Sequence, residues 1–149
     1  MLTDALREQI ISIIDDAQDM TIATVREDGY PQATTVSYAN DGLIIYFGAS
    51  AESQKAQNIA RCNKVSLTIN RAYSNWDDIE GLSLGGIATL VSDPEEQGKI
   101  GEMMFKKFPQ IAHYVPVAAD YGALFRIEPK VISVLDYSRG FGHTELVTL

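Results

Sequence analysis

Cysteine and histidine are scarce in this chain of 149 residues, and their scarcity argues against several classes of site. Cys62 is the only cysteine, so an internal disulfide and a multi-cysteine metal site are both excluded. The two histidines, His113 and His143, lie far apart without the spacing of metal ligands. Cys62 has no adjacent histidine and no GxSxG motif occurs, so nucleophilic hydrolysis has no support. We therefore expect no metal and assign no catalytic nucleophile.

Positive charge is also scarce. Twelve Lys and Arg residues stand against twenty Asp and Glu residues, which gives a formal net charge of −8 at pH 7. General binding to nucleic acid or to an anionic membrane needs a basic footprint, so we expect neither partner. An anionic ligand would have to be held by a local site.

Long apolar runs are missing as well, so no segment has the length of a membrane span. The N-terminus carries Asp4 and Glu8 and lacks the pattern of a signal peptide. The hydrophobic fraction of 46% is that of a folded globular protein and argues against disorder. We expect one cytoplasmic domain over residues 1–149.

Hydrophobic periodicity predicts helices and strands in a definite order. Helices are expected from a Thr3-Asp4 cap to about Gln18, over about 52–61, from an Asp93 cap to about Lys107, and in a short stretch near 110–114. Strands are expected over residues 20–26, 32–38, 43–47, 65–70, 81–92, 123–127 and 130–136. The run 43–47 is almost wholly apolar, so both of its faces should be covered, whereas the tail from Tyr137 shows no regular pattern.

Turn residues connect these strands. Asp28-Gly29 predicts a tight hairpin, and Gly85-Gly86 predicts a bulge or bend of the kind that a small barrel needs. Six or seven short strands with about three helices predict a mainly β fold with flanking helices (α+β). Its expected form is a six- to seven-stranded antiparallel split or closed β-barrel.

Ser50, Ser53 and Lys55 fall at or near the start of the second predicted helix. A helix start exposes unpaired N–H groups and the positive end of the helix dipole, so it stabilises anions. A lysine at a helix start is unfavourable by a few tenths of a kcal/mol unless an anion lies between the lysine and the helix start. We interpret that anion as a phosphate. The alternatives are that the serines only cap the helix and that the lysine is a solvated surface residue.

The predicted strand over 32–38 carries Thr34, Thr35 and Ser37. Their hydroxyls could line a polar planar ligand. β-branched residues on a barrel wall also occur without any ligand, so this strand alone leaves the question open.

Three segments in this order, DGYPQATTVSY, DGLIIYFGAS and SQKAQNIARCNKVSLTIN, resemble the pyridoxamine-phosphate-oxidase-like, FMN-binding split-barrel superfamily. That superfamily has a DGxP hairpin, a T-x-V strand, an S-x-K-x-x-N-(L/I) helix start and an N-x-x-V strand. Downstream, GIATLV followed by Asp93 resembles the family's G-x-A strand before an acidic helix. The resemblance spans most of residues 20–96.

The resemblance implies a homodimer with two FMN molecules at the subunit interface. Ser53 and Lys55 would hold the phosphate, and Ser50 would lie in the turn that approaches the phosphoribityl chain. The strand carrying Thr34, Thr35 and Val36 would run along the isoalloxazine ring and offer backbone hydrogen bonds to its polar edge.

Three further residues follow from the resemblance more loosely. Trp76 lies in a loop that often covers the flavin from the partner subunit, although a core or dimer-interface tryptophan is an equal alternative. Arg139 and His143 could close the site from the C-terminal tail, and the alternative is a solvated chain end.

The sequence departs from the oxidase that names the family. The strand over residues 32–36 carries no cation, and the tail lacks an arginine-rich motif and contains Glu145, so a pyridoxamine-phosphate substrate is not expected. We predict an oxidoreductase that passes electrons through FMN from a reduced donor to a small acceptor, without a defined catalytic acid or base. The alternatives are a non-enzymatic flavin or haem binding or stress protein, and a reductase that uses the deazaflavin F420.

Overall fold

The computed structural model describes residues 1–114 and 122–149, which form four α-helices and eight β-strands. The helices are α1 (Asp4–Asp16), α2 (Gln54–Arg61), α3 (Pro94–Lys107) and α4 (Ile111–Tyr114). The strands are β1 (Asp19–Val25), β2 (Pro31–Ser37), β3 (Ala39–Asp41), β4 (Ile44–Ala49), β5 (Lys64–Asn70), β6 (Glu80–Leu90), β7 (Ala123–Asp136) and β8 (Thr144–Thr148). Short 3₁₀ turns occupy Trp76–Asp78 and Tyr137–Arg139.

All strand pairs are antiparallel, in the order β2-β1-β5-β6-β7-β4-β3, with β8 added to β7. Only Tyr38 separates β2 from β3, so one stretch of chain pairs first with β1 and then with β4. This exchange of partners closes the sheet into a barrel that stays open between β2 and β4. The predicted mainly β, α+β split barrel is confirmed.

Alternation along the strands builds the core. Val65, Leu67 and Ile69 of β5 point inward and are buried, while the alternating Ser66, Thr68 and Asn70 face outward. Ile10 and Ile13 of α1 are fully buried against the same core. The predicted caps are present, since the Thr3 hydroxyl accepts from Leu6 N–H (3.2 Å) and an Asp93 carboxylate oxygen accepts from Glu96 N–H (3.3 Å). In the described part of the chain, no helix combines the length and apolarity needed to cross a bilayer.

The two predicted C-terminal strands are a single strand, β7, which corrects the prediction of a break at Pro129. Pro129 pairs with Gly86, where the register of β6 and β7 shifts. A proline is tolerated at such a bulge because the ladder of hydrogen bonds is already interrupted there. A side chain at Gly86 would come within 2.7 Å of the Glu128 carbonyl oxygen, so glycine is required, and the predicted bulge at Gly85-Gly86 is confirmed.

Two other expectations were wrong. The tail is not irregular, because residues 144–148 form β8, which pairs with β7 and buries Val147. Nor are both faces of β4 covered, because Ile45 and Phe47 are buried while Ile44 and Tyr46 remain partly exposed. The apolar run predicted burial of both faces because Ile44 and Tyr46 have largely apolar side chains, although both remain partly exposed.

Candidate functional site

The start of α2 is built by two serines. Ser53 is the N-cap: its hydroxyl accepts from Ala56 N–H (3.3 Å) and donates to the Ser50 carbonyl (2.6 Å). The Ser50 hydroxyl accepts from Glu52 N–H (3.3 Å). Ser53 therefore has the capping role that the sequence left open as an alternative, whereas the Ser50 hydroxyl stabilises the turn between β4 and α2.

Lys55 is the second residue of α2 and is half-buried. It makes no ion pair or hydrogen bond with any described residue. The first turn of α2 contains no acidic residue, whereas α1 begins with Asp4 and α3 carries Glu95 and Glu96 in its first turn. Positive charge at the start of α2 is thus not compensated by the protein.

Strand β2 lies at one end of the sheet order, and β1 is its only strand partner in the described chain. Thr34 and Val36 face inward, because they pair with the buried Ile22 and Met20, whereas Thr35 faces outward. The three predicted residues therefore do not present their side chains to one ligand face. Every second residue of β2 instead directs its backbone N–H and C=O away from β1, which leaves them available to a ligand.

A cavity of about 450 Å³ occupies the opening between β2 and β4. We call it the split cavity. Val36 and Ser37 line one side, Ala49 and Ser50 line the second side, and residues of α3 close the third: Gly101, Met104 and Phe105. The structure therefore brings Val36 and Ser50, two predicted site residues, to one cavity. The hydroxyl oxygen of Thr34, two residues before Val36 on the same face of β2, is buried without a hydrogen-bond partner in the described chain.

The structure also pairs a lysine with a tyrosine that the sequence did not single out. Tyr38 follows Ser37 and is fully buried, and its hydroxyl donates to the Ile14 carbonyl (2.5 Å). The Lys107 ammonium lies 3.8 Å from the centroid of the Tyr38 ring. Burial lowers the pKa of Lys107, and burial raises the pKa of Tyr38. A lysine in the last turn of a helix is normally solvated, so the sequence carried no signal for this contact.

The remaining predicted residues meet at another place. Trp76 stacks on Phe141 with ring centroids 5.8 Å apart, and Tyr137 packs edge-on against Phe141 at 5.5 Å. We call these three residues the aromatic cluster. Trp76 is 66% exposed and Phe141 is 77% exposed, so the alternative of a core tryptophan is excluded. The loop before β6 and the tail after β7 therefore form one exposed aromatic surface.

Arg139 and His143 lie in the same tail. The Arg139 guanidinium contacts the Glu145 carboxylate at 3.3 Å. Nε2 of His143 is buried and has no hydrogen-bond partner among the described residues. Among those residues, no group of three or more His, Cys, Asp and Glu side chains is arranged to hold a metal ion.

The two groups of predicted residues are separated within one chain. The start of α2 lies at the Leu90 end of β6, because Ala51 and Ala56 line a groove with Leu90. Trp76 precedes Glu80, at the opposite end of that strand. The eleven residues of β6 span about 30 Å at the usual rise of a strand. Lys55 and Trp76 therefore lie toward opposite ends of β6.

An antiparallel barrel that opens between two strands, with a helix start at the opening, defines this protein as a split barrel. The family model for pyridoxamine 5'-phosphate oxidase matches residues 6–136, and the chain belongs to that family. A search of curated proteins gave no match.

Solved structures agree with the fold. A conserved hypothetical protein from Mycobacterium tuberculosis is 24% identical, with a TM-score of 0.78 over 97% of this chain and 92% of that chain. A heme binding protein from Mycobacterium smegmatis is 18% identical, with a TM-score of 0.78 over 98% of this chain but only 58% of that chain. A Listeria innocua protein described as a candidate pyridoxamine 5'-phosphate oxidase is 23% identical, with a TM-score of 0.72 over 88% of this chain and 98% of that chain.

Proposed function

We propose that this protein binds FMN and passes electrons from a reduced donor to a small acceptor. The observation that carries the proposal is the position of Lys55. This uncompensated cation lies at the start of α2, and α2 begins four residues after Ser50, which lines the split cavity. Membership of the pyridoxamine 5'-phosphate oxidase family supports the same cofactor.

The residues fit the parts of FMN. The start of α2 and Lys55 would hold the phosphate, and Ser53 would keep the helix start in place. The outward-directed backbone groups of β2, near Thr34 and Val36, would bind the polar edge of the ring. Bound FMN supplies the redox chemistry, while the protein binds it, orients it and controls its access to water.

The proposal includes a homodimer. Trp76 lies toward the opposite end of β6 from Lys55 and stacks on Phe141 of the tail that carries Arg139 and His143, so in this proposal a second subunit would supply these three residues. A row of hydroxyl side chains crosses the outer face of five neighbouring strands and offers an uncharged surface for that subunit: Thr35, Thr21, Thr68, Ser83 and Ser133. In this arrangement the aromatic cluster of one subunit would cover the flavin of the other.

An absorption titration of the purified protein with FMN tests the proposal. We expect saturable changes in the flavin bands at about one FMN per chain, as for a ring transferred from water to a fixed site. Reduction of the bound flavin by a nicotinamide or another donor, followed anaerobically at the same bands, then tests electron transfer. Failure to take up FMN overturns the cofactor assignment, whereas bound FMN that no donor reduces leaves a binding protein without the activity.

Haem binding is a second candidate function, favoured by the unpartnered Nε2 of His143. Imidazole nitrogen is a common axial ligand of haem iron. One similar structure is a heme binding protein, which makes this test worthwhile. The test is addition of haemin to the wild type and to His143→Ala. If a Soret band forms only with the wild type, and the protein takes up no FMN, haem binding replaces flavin binding as the proposed function.

A further inference from the structure

The α3 wall of the split cavity is one face of that helix. Gly101, Met104 and Phe105 line the cavity and follow helical spacing, so their side chains project in the same direction. Gly101 is buried, Met104 is half-buried, and Phe105 is 52% exposed at the rim. An apolar surface therefore faces Val36 and Ser50 across the cavity.

The chemistry of the lining is uniform. None of the described residues that line the cavity has an ionisable side chain, and Ser37 and Ser50 contribute the only hydroxyls. The Ser50 hydroxyl already accepts a hydrogen bond from Glu52 N–H. An ionised ligand would lose hydration in this cavity without gaining a charged partner, which is costly. The net charge of −8 adds a repulsion against anions.

An uncharged aromatic ligand meets none of these costs. The Met104 thioether and the Phe105 ring are groups that pack favourably on aromatic rings. The volume of about 450 Å³ lies within the usual range of small-molecule sites.

We propose that the split cavity binds an uncharged, largely apolar aromatic molecule, held against Met104 and Phe105. The inference rests on the proposed function in one respect only. If FMN binds near Val36 and Ser50, the aromatic molecule in the cavity would be the substrate of that flavin. A substrate carrying a phosphate is disfavoured, because the described lining provides no cation to receive it.

Equilibrium dialysis with two matched probes tests this inference without an activity assay. The neutral probe is 2-methoxynaphthalene, and naphthalene-2-sulfonate presents the same rings with a negative charge. Both are measured against the protein with and without FMN. We expect saturable binding of the neutral probe in both states and binding of the sulfonate that is weaker by about tenfold or more.

Variants of Phe105 identify the site. Phe105→Asp should weaken binding of the neutral probe by roughly tenfold, because it places a carboxylate at the apolar rim. Phe105→Leu keeps the rim apolar and should bind nearly as well as the wild type. Tyr30→Asp makes an equivalent change at an aromatic residue that is 70% exposed in the distant β1–β2 turn, and it should leave binding unchanged. Circular dichroism and the thermal midpoint establish that each variant is folded.

The outcomes separate the two proposals. Absence of saturable binding overturns the inference, as does binding that Phe105→Asp leaves intact. Loss of probe binding on FMN loading also overturns it, because the cavity would then belong to the cofactor alone. If the neutral probe binds at Phe105 while FMN is not taken up, the flavin proposal fails and the apolar site remains.

Discussion

Lys55 and Lys107 show how differently one residue type is used in this chain. Lys55 lies at the start of α2 without a partner in the described residues, and Lys107 lies over the ring of Tyr38. A lysine at a helix start opposes the helix dipole, whereas a lysine over an aromatic face is attracted by it. The Tyr38 ring faces the charge of Lys107, although the buried Nζ of this lysine makes no hydrogen bond with a described residue, whereas Lys55 has no such group facing it among those residues.

Replacement of Lys55 by alanine should weaken FMN binding selectively. Loss of a charge-assisted contact to phosphate costs about 1.5–3 kcal/mol, which is roughly a ten- to hundredfold rise in Kd. Riboflavin lacks the phosphate, so its Kd should stay within about threefold of the wild-type value. Fluorescence titrations with both flavins measure the difference, and Lys55→Arg is the charge-retaining control. Equal losses for the two flavins would reject the assignment of Lys55 to the phosphate.

Tyr38 carries a structural prediction. Tyr38→Phe leaves the Ile14 carbonyl without its donor in a buried position, so we expect the free energy of unfolding to fall by about 1–3 kcal/mol. The ring itself and its contact with Lys107 are retained. Urea denaturation gives the change, and Tyr30→Phe on the exposed hairpin is the control that should have no measurable effect. An unchanged stability in Tyr38→Phe would show that water replaces the tyrosine hydroxyl.

At the scale of elements, the turn after β7 depends on Asp136. Its carboxylate accepts from Ser138 N–H (3.2 Å), from the Ser138 hydroxyl (2.5 Å) and from the Gln9 amide (2.9 Å). Hydrogen bonds from Ser138, and further from Gln9, hold the pKa of Asp136 below its usual value. Asp136 thereby fixes the 3₁₀ turn that leads into Arg139 and His143.

This shift gives a pH dependence with a definite sign. Because the folded-state pKa of Asp136 is depressed, its stabilisation is present above the unfolded-state pKa of 3.8 and is lost as the pH falls through the folded-state value. Asp136→Asn keeps an accepting oxygen but removes its charge, so it should cost roughly 1 kcal/mol near neutral pH, the difference between hydrogen bonds to charged and to neutral groups, and much less below about pH 3. Thermal midpoints of both proteins across this range measure the gap. A gap that is constant with pH would mean that the charge of Asp136 is irrelevant to stability.

The elements also show what the sequence could and could not reveal. Local signals were sufficient for α1, α3 and the Asp28-Gly29 hairpin, since their caps and turns are encoded by neighbouring residues. The sequence did not reveal β8, because its one buried residue, Val147, depends on the edge of β7 for its burial. The continuity of β7 through Pro129 depends likewise on the bulge at Gly86 in another strand.

Part of the candidate site could likewise be predicted from neighbouring residues, and part of it could not. The start of α2 could be predicted because Ser53 and Lys55 lie two residues apart in the sequence. The α3 wall could not, since Met104 and Phe105 follow an ordinary helical spacing and acquire a role only through the opening between β2 and β4. That opening is a property of strand pairing.

For the whole molecule, the hydroxyl row on the outer face predicts how the subunits associate. Thr68→Lys places a charge in the middle of that uncharged row and should shift a dimer toward monomer, with weaker FMN binding as a consequence. Sedimentation velocity measures the state of association. Ala5→Lys adds the same charge to an exposed position on α1 and should leave the dimer intact. A monomeric wild-type protein, or a Thr68→Lys protein that stays dimeric and binds FMN normally, would contradict the predicted interface.

Mixing two defective proteins tests whether a site is shared between subunits. Lys55→Ala and Trp76→Ala should each bind FMN poorly as homodimers. After subunit exchange, each mixed dimer has one intact site, so about a quarter of all sites should recover wild-type affinity. The recovery is detected by fluorescence at an FMN concentration that is too low for either parent protein to bind the flavin. No recovery after verified exchange would place both residues in the same subunit's site or would remove Trp76 from the site.

The exchange of partners at Tyr38 has a consequence for the order of events during synthesis. β4 reaches the sheet through β7, which is translated long after β2 and β4 have left the ribosome. Pairings that join distant parts of a chain form late. The opening between β2 and β4 therefore acquires its shape only after β7 has emerged from the ribosome, and a ligand of that opening would bind after this stage.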